Sequence, residues 1–285
     1  MGNNMSNRIS NNKTSGNINN INNRIDAKFA ELRNNGRKAL IAFITAGDPD
    51  VETTIQIAKQ LEQHGVDLIE LGIPYSDPIA EGPVIQRANE RALKNKIKIK
   101  DVMNAVKVIR QNVNTPLLYL LYYNCILQYG QDKFFSDCKD AGIDGVIVPD
   151  LPYEEQDEIE DACAGYSIYS IAMVSPISRE RVEKIVKSAK GFIYCVSSLG
   201  VTGIRNKFDT DFKEFFSYIN AVTNIPKAIG FGISTPEQVQ MLKNYCDGII
   251  VGSAIVKKIE ESGDLHETLE KIGTYVSKLR NALDS

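Results

Sequence analysis

Residues 227–256, KAIGFGISTPEQVQMLKNYCDGIIVGSAIV, carry the pattern that decides the fold. The apolar runs KAIGF and DGIIV are continuous rather than alternating, which is typical of parallel strands covered on both faces. Between them STPEQV predicts the start of a helix, because Ser234 and Glu237 fit a capping box. Alternatively, Thr235 caps the helix and Pro236 occupies its first turn. The stretch therefore predicts a strand–helix–strand unit.

The same alternation of strand and helix patterns continues through the chain from residue 25 onward. Eight strands are predicted, at 40–44, 66–71, 117–122, 145–148, 169–174, 192–196, 227–231 and 247–251. Eight strand–helix units in about 260 residues predict a single-domain (β/α)8 barrel, the TIM barrel. A doubly wound open sheet is the alternative. Its dinucleotide-binding form is disfavoured because no Gly-x-Gly-x-x-Gly motif follows an early strand.

The N-terminal segment differs in composition from the rest of the chain. Residues 1–23 contain ten Asn and almost no apolar side chains, so they cannot bury a core of their own. We therefore predict a disordered leader over residues 1–24 and a barrel domain, the catalytic unit, over residues 25–285.

The composition of the whole chain disfavours several classes of protein. Its 285 residues are 43% hydrophobic and 24% charged, which suits one large core, and the net charge of -3 disfavours a nucleic-acid binder. No apolar run approaches the ~20 residues of a membrane-spanning helix. The five cysteines are scattered without C-x-x-C spacing, which disfavours a zinc site or a disulfide framework and predicts free thiols in a reducing cytoplasm.

The carboxyl ends of the barrel strands are where catalytic groups are expected. Neither of the two histidines, His64 and His266, lies beside a candidate nucleophile. Acid–base catalysis is therefore expected from Asp, Glu, Lys or Tyr side chains. Glu70 ends the second strand among apolar neighbours in VDLIEL. Desolvation at the barrel mouth would raise its pKa and suit it to proton transfer near neutral pH. The alternative is a buried glutamate paired with a lysine or a backbone donor.

Glycine-rich turns follow the last three strands of the predicted barrel. GVTG (200–203), GFG (230–232) and VGS (251–253) each open a turn into a helix. Glycines allow close approach of a ligand to the backbone, and helix N-termini offer free N–H donors, so together they predict a phosphate site. Ordinary strand-to-helix turns are the alternative. The Pro- and Gly-rich loop 73–83 fits a role in closure or partner contact.

Six longer motifs carry a resemblance to a known family: ITAGDPD, IELGIPYSDPIAEGPVIQ, GVIVPDLPYEE, SSLGVTG, GFGIST and VGSAIV. From about residue 25 to its C-terminus, the chain resembles the tryptophan synthase alpha chain family. The resemblance implies a barrel lyase of L-tryptophan biosynthesis that cleaves indole-3-glycerol phosphate to indole and glyceraldehyde 3-phosphate, without a metal or cofactor. It also implies a beta chain as partner, usually in a cytoplasmic complex of two alpha and two beta chains.

The resemblance also implies roles for individual residues. Glu70 and Glu81 match the two catalytic carboxylates, although the family usually has Asp at the second position. The substrate-binding positions are Phe43, Leu120, Tyr122, Tyr194 and Thr202, and the phosphate-binding positions are Gly203, Gly232, Gly252 and Ser253. Loops 73–83 and 197–208 match the mobile loops of the family.

Two further functions remain as alternatives to the lyase. The first is a weakly catalytic subunit that mainly binds and activates the beta chain, which Glu81 in place of Asp would support. The second is another phosphate-binding barrel enzyme, such as a sugar-phosphate isomerase.

Overall fold

The computed structural model describes residues 23–175, 179–196, 212–230 and 232–285, with only the backbone described at 212 and 213. In this part of the chain nine strands form one sheet in the order β5-β4-β3-β2-β1-β9-β8-β7-β6, and every pairing is parallel. The strands are β1 (Ala39–Thr45), β2 (Leu68–Gly72), β3 (Leu117–Leu120), β4 (Gly145–Ile147), β5 (Tyr169–Ser170), β6 (Ala172–Val174), β7 (Ile193–Val196), β8 (Lys227–Gly230) and β9 (Gly248–Val251).

The sheet closes through β5 and β6, which are two pieces of one run separated by Ile171. β5 pairs with β4, and β6 pairs with β7. The first part of the run therefore bonds to one neighbouring strand, and the second part bonds to the other. The two pieces occupy the single strand predicted at 169–174. Eight strand positions therefore close into the predicted (β/α)8 barrel, and the open-sheet alternative is wrong.

Helices follow the strands around the outside. They are α1 (Arg24–Asn34), α2 (Val51–Gln63), α3 (Pro83–Lys94), α4 (Ile99–Ile109), α5 (Tyr123–Tyr129), α6 (Gln131–Ala141), α7 (Asp157–Gly165), α8 (Arg179–Ser188), α9 (Phe212–Val222), α10 (Pro236–Leu242), α11 (Ser253–Glu260) and α12 (Leu265–Asp284), with a short 3-10 turn at Tyr153–Glu155. None of the helices described is long and apolar enough to cross a membrane.

The structure shows which residues cap the helices predicted to start at Asp50 and in STPEQV. The Asp50 side chain accepts the Thr53 N–H at 2.7 Å, which begins α2. At α10 the cap is Thr235, and its capping-box partner is Gln238. The Thr235 alternative is therefore confirmed, and the predicted Ser234–Glu237 box is wrong because Ser234 precedes the cap.

Alternate strand residues point into the barrel, and the others point to the surrounding helices. The interior set includes Leu68, Leu118, Ile147, Tyr194 and Ile250. Since side chains alternate along a strand, Glu70 shares the inward face of Leu68. Its backbone pairs in register with that of Phe43. The barrel interior thus ends, at the carboxyl side of the strands, in a layer that contains a carboxyl group.

Helix α1 covers the amino-terminal end of the barrel. Ile25, Phe29 and Leu32 are buried in the same cluster as the interior strand residues, and the Phe29 ring lies 5.7 Å from that of Phe192. Asn23 caps the helix by accepting the Ile25 N–H at 2.9 Å. Asn23 and Arg24, at the end of the predicted leader, are therefore part of this helix structure. The rest of the leader lies outside the described residues.

Two arginines of α3 connect this helix to the β1 loop and to α11. Arg91 contacts both oxygens of the buried Asp48, at 2.7 and 2.8 Å, and Glu260 at 3.0 Å. Arg87 contacts both oxygens of Glu260, at 2.6 and 2.8 Å. α3 begins just after Glu81, and α11 begins at the glycine-rich end of β9, so these ion pairs link two helices that start at the barrel mouth.

Candidate active site

A cavity of about 310 Å³ opens at the carboxyl ends of the strands. This volume falls at the small end of the ~300–1,000 Å³ usual for small-molecule sites. Its inner wall is mainly apolar, and its outer wall is formed by the turns after β8 and β9 and by α11. The inner wall consists of Phe43, Val84, Ile85, Leu120, Met173, Tyr194 and Ile250, with the carboxyl groups of Glu70 and Glu81 among them.

Glu70 lies at the inner end of this cavity and is fully buried. Neither of its carboxyl oxygens has a hydrogen-bond partner among the described residues. Burial alone raises the pKa of Glu70 to about 8, so the group holds its proton at neutral pH. The alternative of a glutamate paired with a lysine or a backbone donor finds no support in these contacts. An uncompensated acid of this kind is suited to donating a proton.

Glu81 reaches the same cavity from the loop after β2, and it is held by Tyr122. The Tyr122 hydroxyl donates to Glu81 Oε2 and accepts the N–H groups of Ile79 and Ala80, both at 2.9 Å. Burial raises the pKa of Glu81, while the hydrogen bond from Tyr122 opposes part of that rise. Glu81 is therefore fixed in position, and its ionised form is the one that this hydroxyl stabilises.

The loop that carries Glu81 is packed onto the end of β3. The Tyr75 ring stacks on the Tyr122 ring, with 4.8 Å between centroids, and Asn124 donates to the Tyr75 hydroxyl at 3.3 Å. Tyr122 is not among the residues that line the cavity; it contacts Glu81 and this loop instead. Ile79, at the outer part of the loop, is 78% exposed.

Glycines at the strand ends make room for two aromatic rings of the cavity, those of Tyr194 and Phe43. A Cβ at Gly230 would lie 2.5 Å from the Tyr194 ring, and one at Gly72 would lie 2.5 Å from the Phe43 ring. At Gly252 an added Cβ would meet Phe43 at 3.2 Å. These positions are therefore glycine because rings occupy the space that a side chain would need. Burial raises the pKa of Tyr194 well above its usual value, with the Glu70 carboxyl adding to the rise.

The outer part of the cavity has the features of an anion site. Gly252 is the N-cap of α11, Ser253 is its first residue, and both line the cavity together with Gly232. The first amides of a helix have no partner within the helix, and the helix dipole favours negative charge there. Gly232 has a φ of +75°, a conformation that glycine adopts without strain.

The structure brings most of the predicted site residues together around this one cavity. Phe43, Glu70, Glu81, Leu120, Tyr194, Gly232, Gly252 and Ser253 all line it. Thr202 and Gly203, with the whole of loop 197–208, lie outside the described residues. Within the described ranges, no three His, Cys, Asp or Glu side chains converge as metal ligands would.

Several lining residues were missed by sequence reasoning. Met173 and Ile250 have the inward parity of their strands, so the alternation of side chains could have identified them. Lys258 and Tyr275 lie on helices outside the barrel, and their approach to the cavity depends on how α11 and α12 pack. No strand-end pattern points to them.

Comparison with known proteins agrees with this geometry. A family model described as tryptophan synthase alpha chain matches residues 29–284. The tryptophan synthase alpha chain of Thermoanaerobacter sp. (strain X514) is 52% identical over 261 residues, covering 92% of this chain and all of that protein. That of Clostridium kluyveri is 45% identical over 262 residues, again covering 92% of this chain and all of the relative.

Solved structures show the same relationship. The tryptophan synthase alpha subunit of Legionella pneumophila is 39% identical with a TM-score of 0.82, covering 92% of this chain and 98% of that one. A chain of Mycobacterium tuberculosis tryptophan synthase is 33% identical with a TM-score of 0.83 and the same coverage. Together with the cavity and its two carboxyl groups, these matches show that the chain belongs to the tryptophan synthase alpha chain family.

Proposed function

We propose that this chain cleaves indole-3-glycerol phosphate to indole and glyceraldehyde 3-phosphate by a retro-aldol reaction. The observation that carries the proposal is the pair of carboxyl groups in one apolar cavity. Glu70 is protonated and without a hydrogen-bond partner among the described residues, and Glu81 is fixed by Tyr122. The apolar wall suits an indole ring, and the helix start at Gly252 suits a phosphate.

The first step is protonation of the indole ring by Glu70. Its carboxyl proton moves to C3 of indole, which leaves positive charge on the ring and a carboxylate on Glu70. The ring N–H then donates to the Glu81 carboxylate, which stabilises the positive charge. Burial keeps Glu70 neutral, as this step requires. Burial also raises the pKa of Glu81, and the Tyr122 hydroxyl opposes part of that rise by donating to the ionised form.

The second step breaks the bond between indole C3 and glycerol C3′. The electron pair of that bond returns to the ring and neutralises it, while the C3′ hydroxyl loses its proton and becomes the aldehyde. The Glu70 carboxylate left by the first step is a base in the same cavity, so we assign it this proton. Both atoms and charges balance, and Glu70 ends the cycle protonated. No step requires a metal or a cofactor.

The phosphate is bound by backbone N–H groups at Gly232, Gly252 and Ser253, with Gly203 as a fourth position implied by the family. We predict that Gly232→Ala raises the KM for indole-3-glycerol phosphate roughly 10- to 100-fold, the value of one charge-assisted hydrogen bond, with little change in kcat. Alanine is strained at a φ of +75° and moves the amide away from the phosphate. Steady-state kinetics measure both constants.

Gly36→Ala is the matched control for this variant. Gly36 also has a positive φ, of +65°, and an added Cβ there would meet nothing within 4 Å. It lies between α1 and β1, at the amino-terminal end of the barrel. Both variants should therefore lose stability to a similar degree, whereas KM should change in Gly232→Ala alone. An equal KM in the two variants would remove Gly232 from the phosphate site.

The partner in this proposal is a tryptophan synthase beta chain in a cytoplasmic complex of two alpha and two beta chains. The exposed Ile79 supports it, because this apolar side chain lies on the loop that holds Glu81. A protein that covers Ile79 would act directly on the position of the catalytic carboxylate. The five buried, unpaired cysteines fit the reducing cytoplasm.

Indole release tests the proposal. The purified chain is incubated with indole-3-glycerol phosphate, with and without a beta chain, and indole is measured. We expect release by the chain alone and faster release with the beta chain. A weakly catalytic subunit would instead release little indole in either case while increasing tryptophan formation from indole and serine. A sugar-phosphate isomerase would do neither.

A further inference from the structure

One face of α11 extends the cavity wall beyond the phosphate end. The residues of this face are three or four positions apart, the spacing of neighbours on one side of a helix. They line the cavity and are Ser253, Ala254, Lys257 and Lys258, with Glu261 just after the helix. Side chains of a helix lean toward its N-terminus. Two lysines on this face therefore lean toward the end of the helix where the phosphate is expected.

The two lysines differ in how their charge is compensated. Lys257 lies 3.5 Å from the Glu261 carboxylate, and both side chains are about half exposed. Lys258 is half-buried, and no carboxylate in the described ranges lies within ion-pair distance of its ammonium group. Lys258 thus brings an uncompensated positive charge to the wall of the cavity.

An aromatic ring restricts where this charge can lie. The Lys258 ammonium lies 4.4 Å from the centre of the Tyr275 ring, a cation–π contact. The Tyr275 hydroxyl in turn donates to the Ser234 carbonyl at 2.8 Å, in the turn that follows Gly232. Lys258 is therefore held beside α12, and Tyr275 connects it to the turn after β8, where Gly232 and Ser234 line the cavity.

We propose that Lys258 is an additional phosphate-binding residue, which supplies a positive charge beside the backbone amides of Gly232, Gly252 and Ser253. This inference rests on the proposed function, because it takes the phosphate group of the substrate as its ligand. The backbone amides hold the phosphate oxygens by geometry, and Lys258 adds attraction to the dianion. The reacting atoms lie at the other end of the cavity, so Lys258 acts on binding and not on the chemical steps.

Lys258→Met tests the inference, because methionine keeps most of the length of the unbranched side chain but removes the charge. We expect the KM for indole-3-glycerol phosphate and the Kd for inorganic phosphate, measured by calorimetry, to rise roughly 3- to 10-fold, with kcat unchanged. Lys258→Arg should remain within about twofold of the wild type, since it keeps the charge. Added NaCl should weaken phosphate binding less in Lys258→Met than in the wild type.

The matched control is Lys139→Met, which changes the net charge equally on an exposed part of α6 near the amino-terminal end of the barrel. Its KM and phosphate Kd should equal those of the wild type. Cleavage of the dephosphorylated substrate, indole-3-glycerol, should be the same in all of these variants.

Three results would overturn the inference. The first is an unchanged phosphate Kd in Lys258→Met, and the second is an equal loss with indole-3-glycerol, which would indicate a purely structural role. The third is a wild-type chain that neither binds phosphate nor releases indole, which would overturn the proposed function as well. The first two results leave the proposed function intact. Failure of the Lys258 proposal can therefore be distinguished from failure of the proposed function.

Discussion

Glu70→Gln is expected to lower the kcat for indole release by ~10²–10⁴-fold, the usual effect of removing one positioned acid or base. Glutamine keeps the shape of the side chain in its buried position but has no proton to give to indole C3 or to recover. Because every step of the proposed cycle passes a proton through this group, the loss should appear in kcat and not in KM. Single-turnover measurements with saturating substrate test this directly.

The pH dependence of cleavage should identify the same group. Glu70 must be protonated, so the wild-type rate should fall as the pH rises above about 8. Glu81 must be ionised, so the rate should also fall at low pH, below a Glu81 pKa that burial raises above its usual range. The residual activity of Glu70→Gln should lack the alkaline limb, while the acid limb remains.

Folding stability gives a second readout for Glu70. Its pKa is about 8 in the folded chain and 4.5 in the reference state, so between these values the unfolded state binds fewer protons than the folded one. Stability therefore decreases as the pH rises through this window. The variant should lose that decrease, and at neutral pH it should fold as the wild type does. Near-normal kcat in Glu70→Gln would exclude Glu70 from the mechanism.

Replacing Glu81 is expected to have the second largest effect. Glu81→Ala should lower kcat by about 100-fold or more, since the ring N–H then has no acceptor. Glu81→Asp, which restores the usual family residue, should also lower it. Its carboxylate ends about 1.5 Å short of the present position, which is enough to spoil catalytic geometry, and it would no longer reach the Tyr122 hydroxyl.

Tyr122→Phe tests whether Tyr122 positions the Glu81 carboxylate, because the variant removes the hydroxyl and leaves Glu81 in place. Without the hydroxyl, the pKa of Glu81 should rise, and the acid limb of the rate profile should move to higher pH. Asp150, whose charge also raises the pKa of Glu81, is unchanged in this variant. In the Glu81→Asp background, loss of the hydroxyl should add little, because the shorter side chain does not use it.

Three outcomes would count against this account of Glu81. Full activity in Glu81→Ala would show that Glu70 acts alone. A gain of activity in Glu81→Asp would show that Glu81 is a damaged form of the usual site, as the weakly catalytic alternative requires. An equal, additive loss from Tyr122→Phe in both backgrounds would show that Tyr122 supports the loop without positioning the carboxylate.

The fold could be predicted because the local signals agree with one another. Continuous apolar runs recur eight times, each followed by a helical pattern, and an alternation of this length is typical of a barrel. Small differences occur at the strand ends. β2 runs from Leu68 to Gly72, shifted from the predicted 66–71, and β3 ends at Leu120, two residues early. Tyr122 caps α5 there, so its backbone no longer belongs to the strand.

The site could be predicted where a residue conflicts with its local pattern, where glycines follow a strand and, at its apolar positions, from the family resemblance. Glu70 stands out because a carboxyl group interrupts an apolar strand. Tyr122, by contrast, fits its apolar surroundings, and its contact with Glu81 depends on the path of the backbone at Ile79 and Ala80. Lys258 gives no signal either, since its position depends on how the Tyr275 ring packs. Such contacts join distant segments and leave no periodic trace in the sequence.

Helix α1 precedes every strand of the barrel in the sequence, yet part of its apolar face packs on residues that are synthesised much later. The cluster that buries Ile25 and Phe29 extends along the sequence to Ile250, and the Phe29 ring packs on that of Phe192, just before β7. Contacts of such large sequence separation form late, since a long loop must close before they contribute. As the chain leaves the ribosome, part of the apolar face of α1 therefore stays exposed, and the amino-terminal end of the barrel is fully covered only after more than half of the protein has been made.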